Sequence, residues 1–140
     1  MKRDIRLHGL SSDHHHALVL ARRIRQAAAD GALDAAFVQT VQARYTEELA
    51  PHFQVEEDLL LPALQEANET ALVDRTLAEH VELRALLANA GAGQHDCLER
   101  FASLLEAHVR FEEQQLFGAC ERLLDESVLD QVAKRAPKPR

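Results

Sequence analysis

Apolar residues recur along this chain at intervals of three and four, in four long runs, and nothing reads as a strand. That period places them on one stripe of an α-helix. The first run has Leu10, Ala17, Leu18, Leu20, Ala21, Ile24, Ala27 and Ala28 facing in. Ser11-Ser12-Asp13 offers N-caps for it, and the helix is expected to run to about Ala29, where Asp30-Gly31 stops it. The second run, capped by Asp34, carries Phe37, Val38, Val41, Tyr45, Leu49 and Leu60. Pro51 lies inside it, which predicts a kink just before His52, and Pro62 marks its approaching end. The third, with Asn68 or Thr70 as cap, turns Leu72, Val73, Leu77, Leu83 and Leu87 inward, and Gly91-Ala92-Gly93 breaks it. The fourth starts near His95, with Leu98, Phe101, Leu105 and Leu116 facing in and Gly118 as a candidate interruption. Residues 126–134 have room for a short further helix. Four amphipathic helices with short links predict an all-α fold, an antiparallel up-down four-helix bundle. Residues 1–135 read as one domain, and residues 136–140 (Ala136-Pro137-Lys138-Pro139-Arg140) as a loose basic tail.

Composition narrows the function classes. At 140 residues and 46% hydrophobic, the chain can bury a core and is not a disordered segment. Its formal net charge of −7 gives no general attraction to nucleic acid or to an anionic membrane. Met1 to Leu10 is charged and lacks the apolar run of a secretory leader, and no stretch approaches the roughly 20 apolar residues of a membrane span. Two cysteines, Cys97 and Cys120, fall on the exposed phase. On one continuous helix they would stand about 35 Å apart, too far to pair. A reduced, cytoplasmic protein is the expectation.

The candidate chemistry lies on the apolar stripes themselves. His52-Phe53-Gln54-Val55-Glu56-Glu57 returns 56 residues later as His108-Val109-Arg110-Phe111-Glu112-Glu113. Extended to 13 residues, the two copies share the His, both Glu, Leu60 with Leu116, and Ala63 with Ala119. In each copy an imidazole and a carboxylate stand four apart, on one helix face and one turn from each other. His80 is in phase with Leu77, Leu83 and Leu87 on the third run. Among the three consecutive histidines of the first run, periodicity selects His14, with His16 as the fallback and His15 pointing away. Each helix then carries one inward His, and two carry an inward Glu: His14, His52 with Glu56, His80, and His108 with Glu112. Burying six such groups without a partner costs several kcal/mol for each unpaired charge, and a shared metal removes that cost. Mixed imidazole and carboxylate donors suit iron or manganese, and a carboxylate can bridge two ions. His8, His15 and His95 read as surface residues. Glu57 and Glu113 read as facing outward or supporting the ligands from behind, and Tyr45 as a packed core residue within reach of the site.

These residues, in this order, resemble the hemerythrin-like, HHE cation-binding family. The likeness rests on Asp13-His14, on His52 to Pro62, on Glu79-His80 with Leu83-Arg84, and on His108 to Phe117, and it covers residues 10–118. It implies a four-helix bundle holding a non-haem, carboxylate-bridged di-iron centre, two Fe per chain, with Glu56 and Glu112 as the bridges. The oxygen-carrying members have two His one turn apart on the third helix. Here Thr76 and Arg84 stand one turn either side of His80. They also place the fourth-helix carboxylate five residues after its His, where this chain has Glu113. Six ligands instead of seven argue against dedicated oxygen transport. The expected function is a metal-binding protein that binds or senses a small ligand (dioxygen, nitric oxide, peroxide) or iron. The alternative is a di-iron redox enzyme that turns over peroxide or nitric oxide.

Overall fold

The structure, a computed structural model, describes residues 2–136. Among these residues every regular element is helical and no strand forms. A 3₁₀ turn, Ile5–Leu7, leads into α1, His8–Ala29. Helix α2 spans 35–66 and contains two π-helical turns, Tyr45–Leu49 and Glu56–Leu60. Helix α3 is Thr70–Gly91. Helix α4 spans 97–123 with one π turn, Glu112–Leu116, and α5 is Glu126–Arg135. The expected tail from Pro137 onward lies outside the described residues, whereas Ala136 is buried beside Leu129 and Val132. No helix of the described residues is long and apolar enough to cross a membrane.

The three links between long helices are closed by one device. Ala32 N–H donates to Ala27 O (2.8 Å) and Gly31 N–H to Ala28 O (3.2 Å), with Gly31 at φ +67°. Glu69 N–H donates to Leu64 O (2.9 Å) and Asn68 N–H to Gln65 O (3.0 Å), with Asn68 at φ +65°. Gln94 and Gly93 repeat the pattern on Asn89 and Ala90, with Gly93 at φ +113°. Each is a Schellman closure, which needs a left-handed residue one past the helix, and Gly and Asn accept that conformation most readily. Asn68 therefore ends α2 and does not cap α3; Thr70, the other expected cap, is already helical and accepts a bond from Gln65 Nε2 (3.1 Å). Asp34 does cap α2, accepting from Phe37 N–H at 2.9 Å.

The first helix begins earlier than its Ser-Ser-Asp signal suggests. Asp4 accepts from Arg6 N–H and starts the 3₁₀ turn, and Leu7 and Leu10 are fully buried under α5 and the ends of α2 and α4. That burial pulls the start back to His8. Ser11, Ser12 and Asp13 thus lie within α1, and Asp13 meets His52 of α2.

Pro51 and Pro62 each follow a π turn by two residues, and so does Gly118. Each turn closes with an i→i−5 bond: Ala50 to Tyr45, Leu61 to Glu56, Phe117 to Glu112. The wider turn absorbs the proline's missing donor and ring clash, so the expected break before His52 takes the form of a π turn within a continuous helix. The same register change corrects the cysteine expectation. Eight residues past Glu112 a straight helix would have turned about 80° from the inner face, and absorbing one residue in a π turn returns it to within about 20°. Cys120 is accordingly buried; Cys97 is partly exposed and both are free thiols. Leu77, expected inward, is 39% exposed, because Thr76 occupies the buried position one turn before His80.

Helix α1 packs along α4, α4 along α3, and α3 against both ends of α2. The apolar interior falls into two clusters. One holds Ala21, Ile24, Val41, Phe53, Leu83, Phe101 and Leu105. The other holds Leu7, Leu10, Leu60, Leu64, Val73, Leu116, Phe117 and Leu129. On all four long helices the boundary between the clusters falls at the same level, and there the buried side chains turn polar: Asp13, His14, His52, Glu56, Thr76, His80, His108 and Glu112.

Candidate metal centre

Six of those polar residues meet at the centre. His14, His52, Glu56 and Glu112 each bring one donor atom into a first group, and Glu56, His80, His108 and Glu112 into a second, with the donor atoms of each group all within 4.8 Å. Glu56 and Glu112 belong to both. Glu56 turns Oε2 to His52 Nε2 (3.0 Å) and Oε1 to His80 Nε2 (3.1 Å). Glu112 turns Oε1 to His14 Nε2 (2.7 Å) and His52 Nε2 (3.5 Å), and Oε2 to His108 Nε2 (3.1 Å). Each group is thus two imidazole nitrogens and two carboxylate oxygens. All six side chains are at most 5% exposed.

The sequence repeat explains the symmetry. His52 with Glu56 and His108 with Glu112 occupy equivalent places at the start of the two π turns, and His14 and His80 complete one group each. His16, the fallback on α1, lies instead beside Val19, Leu20, Arg23 and Arg44, away from both groups. His15 and His8 are exposed, and His8 bonds to the Arg3 carbonyl (3.1 Å); His95 sits before α4. Tyr45 packs on Phe53, ring centroids 6.1 Å apart. Glu113 does not enter either group; it accepts from His14 Nδ1 at 2.5 Å.

Four acids stand behind the histidines: Glu57 and Glu113, for which the sequence allows a supporting place, and Asp13 and Glu79, to which the periodicity assigns none there. Asp13 accepts from His52 Nδ1 (3.1 Å), Glu57 from His80 Nδ1 (2.6 Å), Glu79 from His108 Nδ1 (2.7 Å), and Glu113 from His14 Nδ1. The signal was present as the acid directly before His14 and His80, and as the second Glu of each repeat. At Asp13 and Glu79 it was unreadable because adjacent residues on a helix point about 100° apart.

The electrostatics follow from burying four bases with two acids. Burial opposes the imidazolium at His108, but Glu112 and Glu79 outweigh it and raise its pKa to about 10. His52 is raised well above the usual value against the same burial by Glu56 and Asp13, and His14 is raised by Glu112 and Glu113. Burial alone would raise Glu112, yet His108, His14 and His52 hold it well below the usual carboxylate range. In the metal-free chain, protons on His14, His52 and His108 therefore supply the positive charge that Glu112 requires. The fit is incomplete. Both oxygens of Glu56, Glu112 Oε2, His80 Nε2 and His108 Nε2 are buried and make no aligned hydrogen bond, although their N···O separations are near 3.1 Å. A buried polar atom left so costs about 1–3 kcal/mol. Polar atoms that converge without facing one another are what donors to a common ion present, so the residues fit a cation.

A helical chain with a buried imidazole–carboxylate cluster shared among four helices is of the cation-binding class. The family model for the hemerythrin HHE cation binding domain matches residues 6–120, and the chain belongs to that family. No curated protein and no solved structure matches it. The matched span contains every residue of both groups.

Proposed function

We propose that the two groups hold two iron ions, non-haem and bridged by Glu56 and Glu112, with His14 and His52 on one ion and His80 and His108 on the other. The observation that carries this reading is the division of each central carboxylate, one oxygen toward each histidine pair. Two imidazoles and two carboxylate oxygens per ion form a mixed donor set suited to iron or manganese, and the absence of any thiolate from the groups disfavours a structural zinc site. The arrangement of α1 to α4 around this layer is taken as an antiparallel up-down bundle, which builds such centres from inward Glu and His.

Four protein donors per ion leave coordination positions for a small molecule. Iron, when bound, supplies reversible electron donation to such a ligand. The chain's own contribution is to fix the nitrogens, to hold two bridging carboxylates, and to keep water out by the apolar clusters above and below. We read the protein as a cytoplasmic binder or sensor of dioxygen, nitric oxide, peroxide or iron itself, with no nucleic-acid or membrane partner. A second reading, turnover of peroxide or nitric oxide, is favoured by Glu113 and Glu57. These acids bond to ligand histidines while their side chains are 34% and 23% exposed, which offers protons a route from solvent.

The test is to load the chain anaerobically with ferrous iron, count the ions, and titrate with dioxygen or peroxide while following the visible spectrum. Two irons per chain and a reversible adduct support the binder. Repeated consumption of oxidant selects the enzyme. No iron bound, or iron unchanged in a His52→Ala His108→Ala double variant, overturns the site.

A further inference from the structure

The four acids behind the histidines obey one rule. Asp13 on α1 holds His52 on α2; Glu57 on α2 holds His80 on α3; Glu79 on α3 holds His108 on α4; Glu113 on α4 holds His14 on α1. Every helix holds the histidine of the next, and the fourth returns to the first. We infer that Asp13, Glu57, Glu79 and Glu113 form a closed ring of positioning carboxylates that presents all four Nε2 atoms inward and makes each cation group depend on a helix that gives it no histidine.

A neutral imidazole has one N–H and one lone pair, and either nitrogen can carry the proton. An acid on Nδ1 fixes the N–H outward and leaves the Nε2 lone pair for a cation. Aromatic faces restrain the remaining rotation of one ring in each group. Phe117 stacks on His14 at 5.1 Å and 9°, and Phe53 on His80 at 3.9 Å and 23°. Three of the acids are themselves anchored from outside. Arg84 donates to Glu57 (2.8 Å), Arg75 to Glu79 (3.1 Å), and Ser11 to Glu113 (2.9 Å). The His14/His52 group then relies on Glu113 from α4, and the His80/His108 group on Glu57 from α2.

This inference rests on the dinuclear reading above, and the experiment separates the two. The full chain and its single variants Asp13→Ala, Glu57→Ala, Glu79→Ala and Glu113→Ala are equilibrated with Mn²⁺. Bound ions are counted by dialysis, and electron paramagnetic resonance distinguishes an isolated manganese ion from a coupled pair. The parent chain is expected to hold a coupled pair. Each alanine variant is expected to weaken one ion about 10–100-fold and to show the isolated-ion signal. Pairing gives the sharpest result: adding His14→Ala to Glu113→Ala removes no further ion, whereas adding His80→Ala to Glu113→Ala removes the second, although residues 113 and 14 lie at opposite ends of the chain. Asp13→Asn and Glu113→Gln, which keep an acceptor, are expected to recover part of the affinity. Alanine variants that keep a coupled pair at unchanged affinity overturn the ring alone. A parent chain that binds fewer than two ions overturns the dinuclear reading and the ring with it. Should an alanine variant lose its helical circular dichroism, the amide variants decide: weakening of one ion supports the ring, and unchanged affinity for both overturns it.

Discussion

The His14/His52 pair and the His80/His108 pair have the same donors, share the same two carboxylates, and sit in different company. The first pair has its rings 4.9 Å apart and tilted, with Phe117 against His14. The second has its rings 5.0 Å apart, with Phe53 lying face to face with His80 and edge-on to His108. Phe53 belongs to one apolar cluster and Phe117 to the other. The repeat duplicates the chemistry of the centre, but not its packing: Phe53 aligns with Val109, and Phe117 with Leu61. Equivalent ligands held by non-equivalent neighbours are the means by which a duplicated motif can give two unequal sites.

The largest change that tests the comparison is one that ignores it. Glu112→Ala removes a carboxylate oxygen from both groups at once, so both ions are expected to weaken by more than the roughly 100-fold that loss of an outer partner costs. Dialysis against a metal buffer would show it, and retention of one ion at parent affinity would mean that Glu112 does not bridge. Next come His80→Ala and His14→Ala, each expected to leave a single ion. If either one empties both groups, the pairs are not independent.

The metal-free protein tests the charge balance of the layer. His108 is raised from 6.5 to about 10, so its contribution to stability is fully present below pH 6.5 and is lost as pH rises toward 10. His14 and His52 shift in the same direction. Glu112 is depressed below 4.5, so its contribution is present above that value and is lost as pH falls. Thermal unfolding without metal should therefore peak between about pH 4.5 and 6.5 and decline on the alkaline side; a flat profile through pH 10 would contradict the pairing. Because a bound cation must displace those protons, loading is expected to tighten as pH rises. The smallest expected effects come from the rings that make the pairs differ. Phe53→Leu should weaken the ion on His80 and His108 more than the other, since Phe53 meets His52 only edge-on at 5.8 Å, and Phe117→Leu chiefly the ion on His14 and His52, each by about 0.5–1.5 kcal/mol. Equal effects of both changes on both ions would erase the distinction drawn here.

How much was legible in the sequence differs by residue. His52 and Glu56, and His108 and Glu112, stand four apart before a π turn, where the α-helical period still holds, and they meet as that period requires. Cys120 lies beyond the turn, where the period has slipped by one residue, and it is buried against expectation, its thiol pushed up by burial and by the charges of Glu56 and Glu112. Asp13 illustrates a different limit. Next to Ser11 and Ser12 it has the appearance of a cap, and only the packing of Leu7 and Leu10 shows that the helix already extends past it. Glu79 lies within a recognisable motif, yet no spacing along one chain segment can point to a histidine 29 residues away.

The sequence alone determined the helices and the family and favoured His14 over His16 as the inward residue, because each follows from a local period or an ordered set of short motifs. Tertiary structure decided the rest: which oxygen of each carboxylate faces which histidine pair, and which outer acid stands behind which histidine. Those relations join side chains on different helices. They are fixed by how far and in which direction helices pack, a quantity that no period along the chain contains.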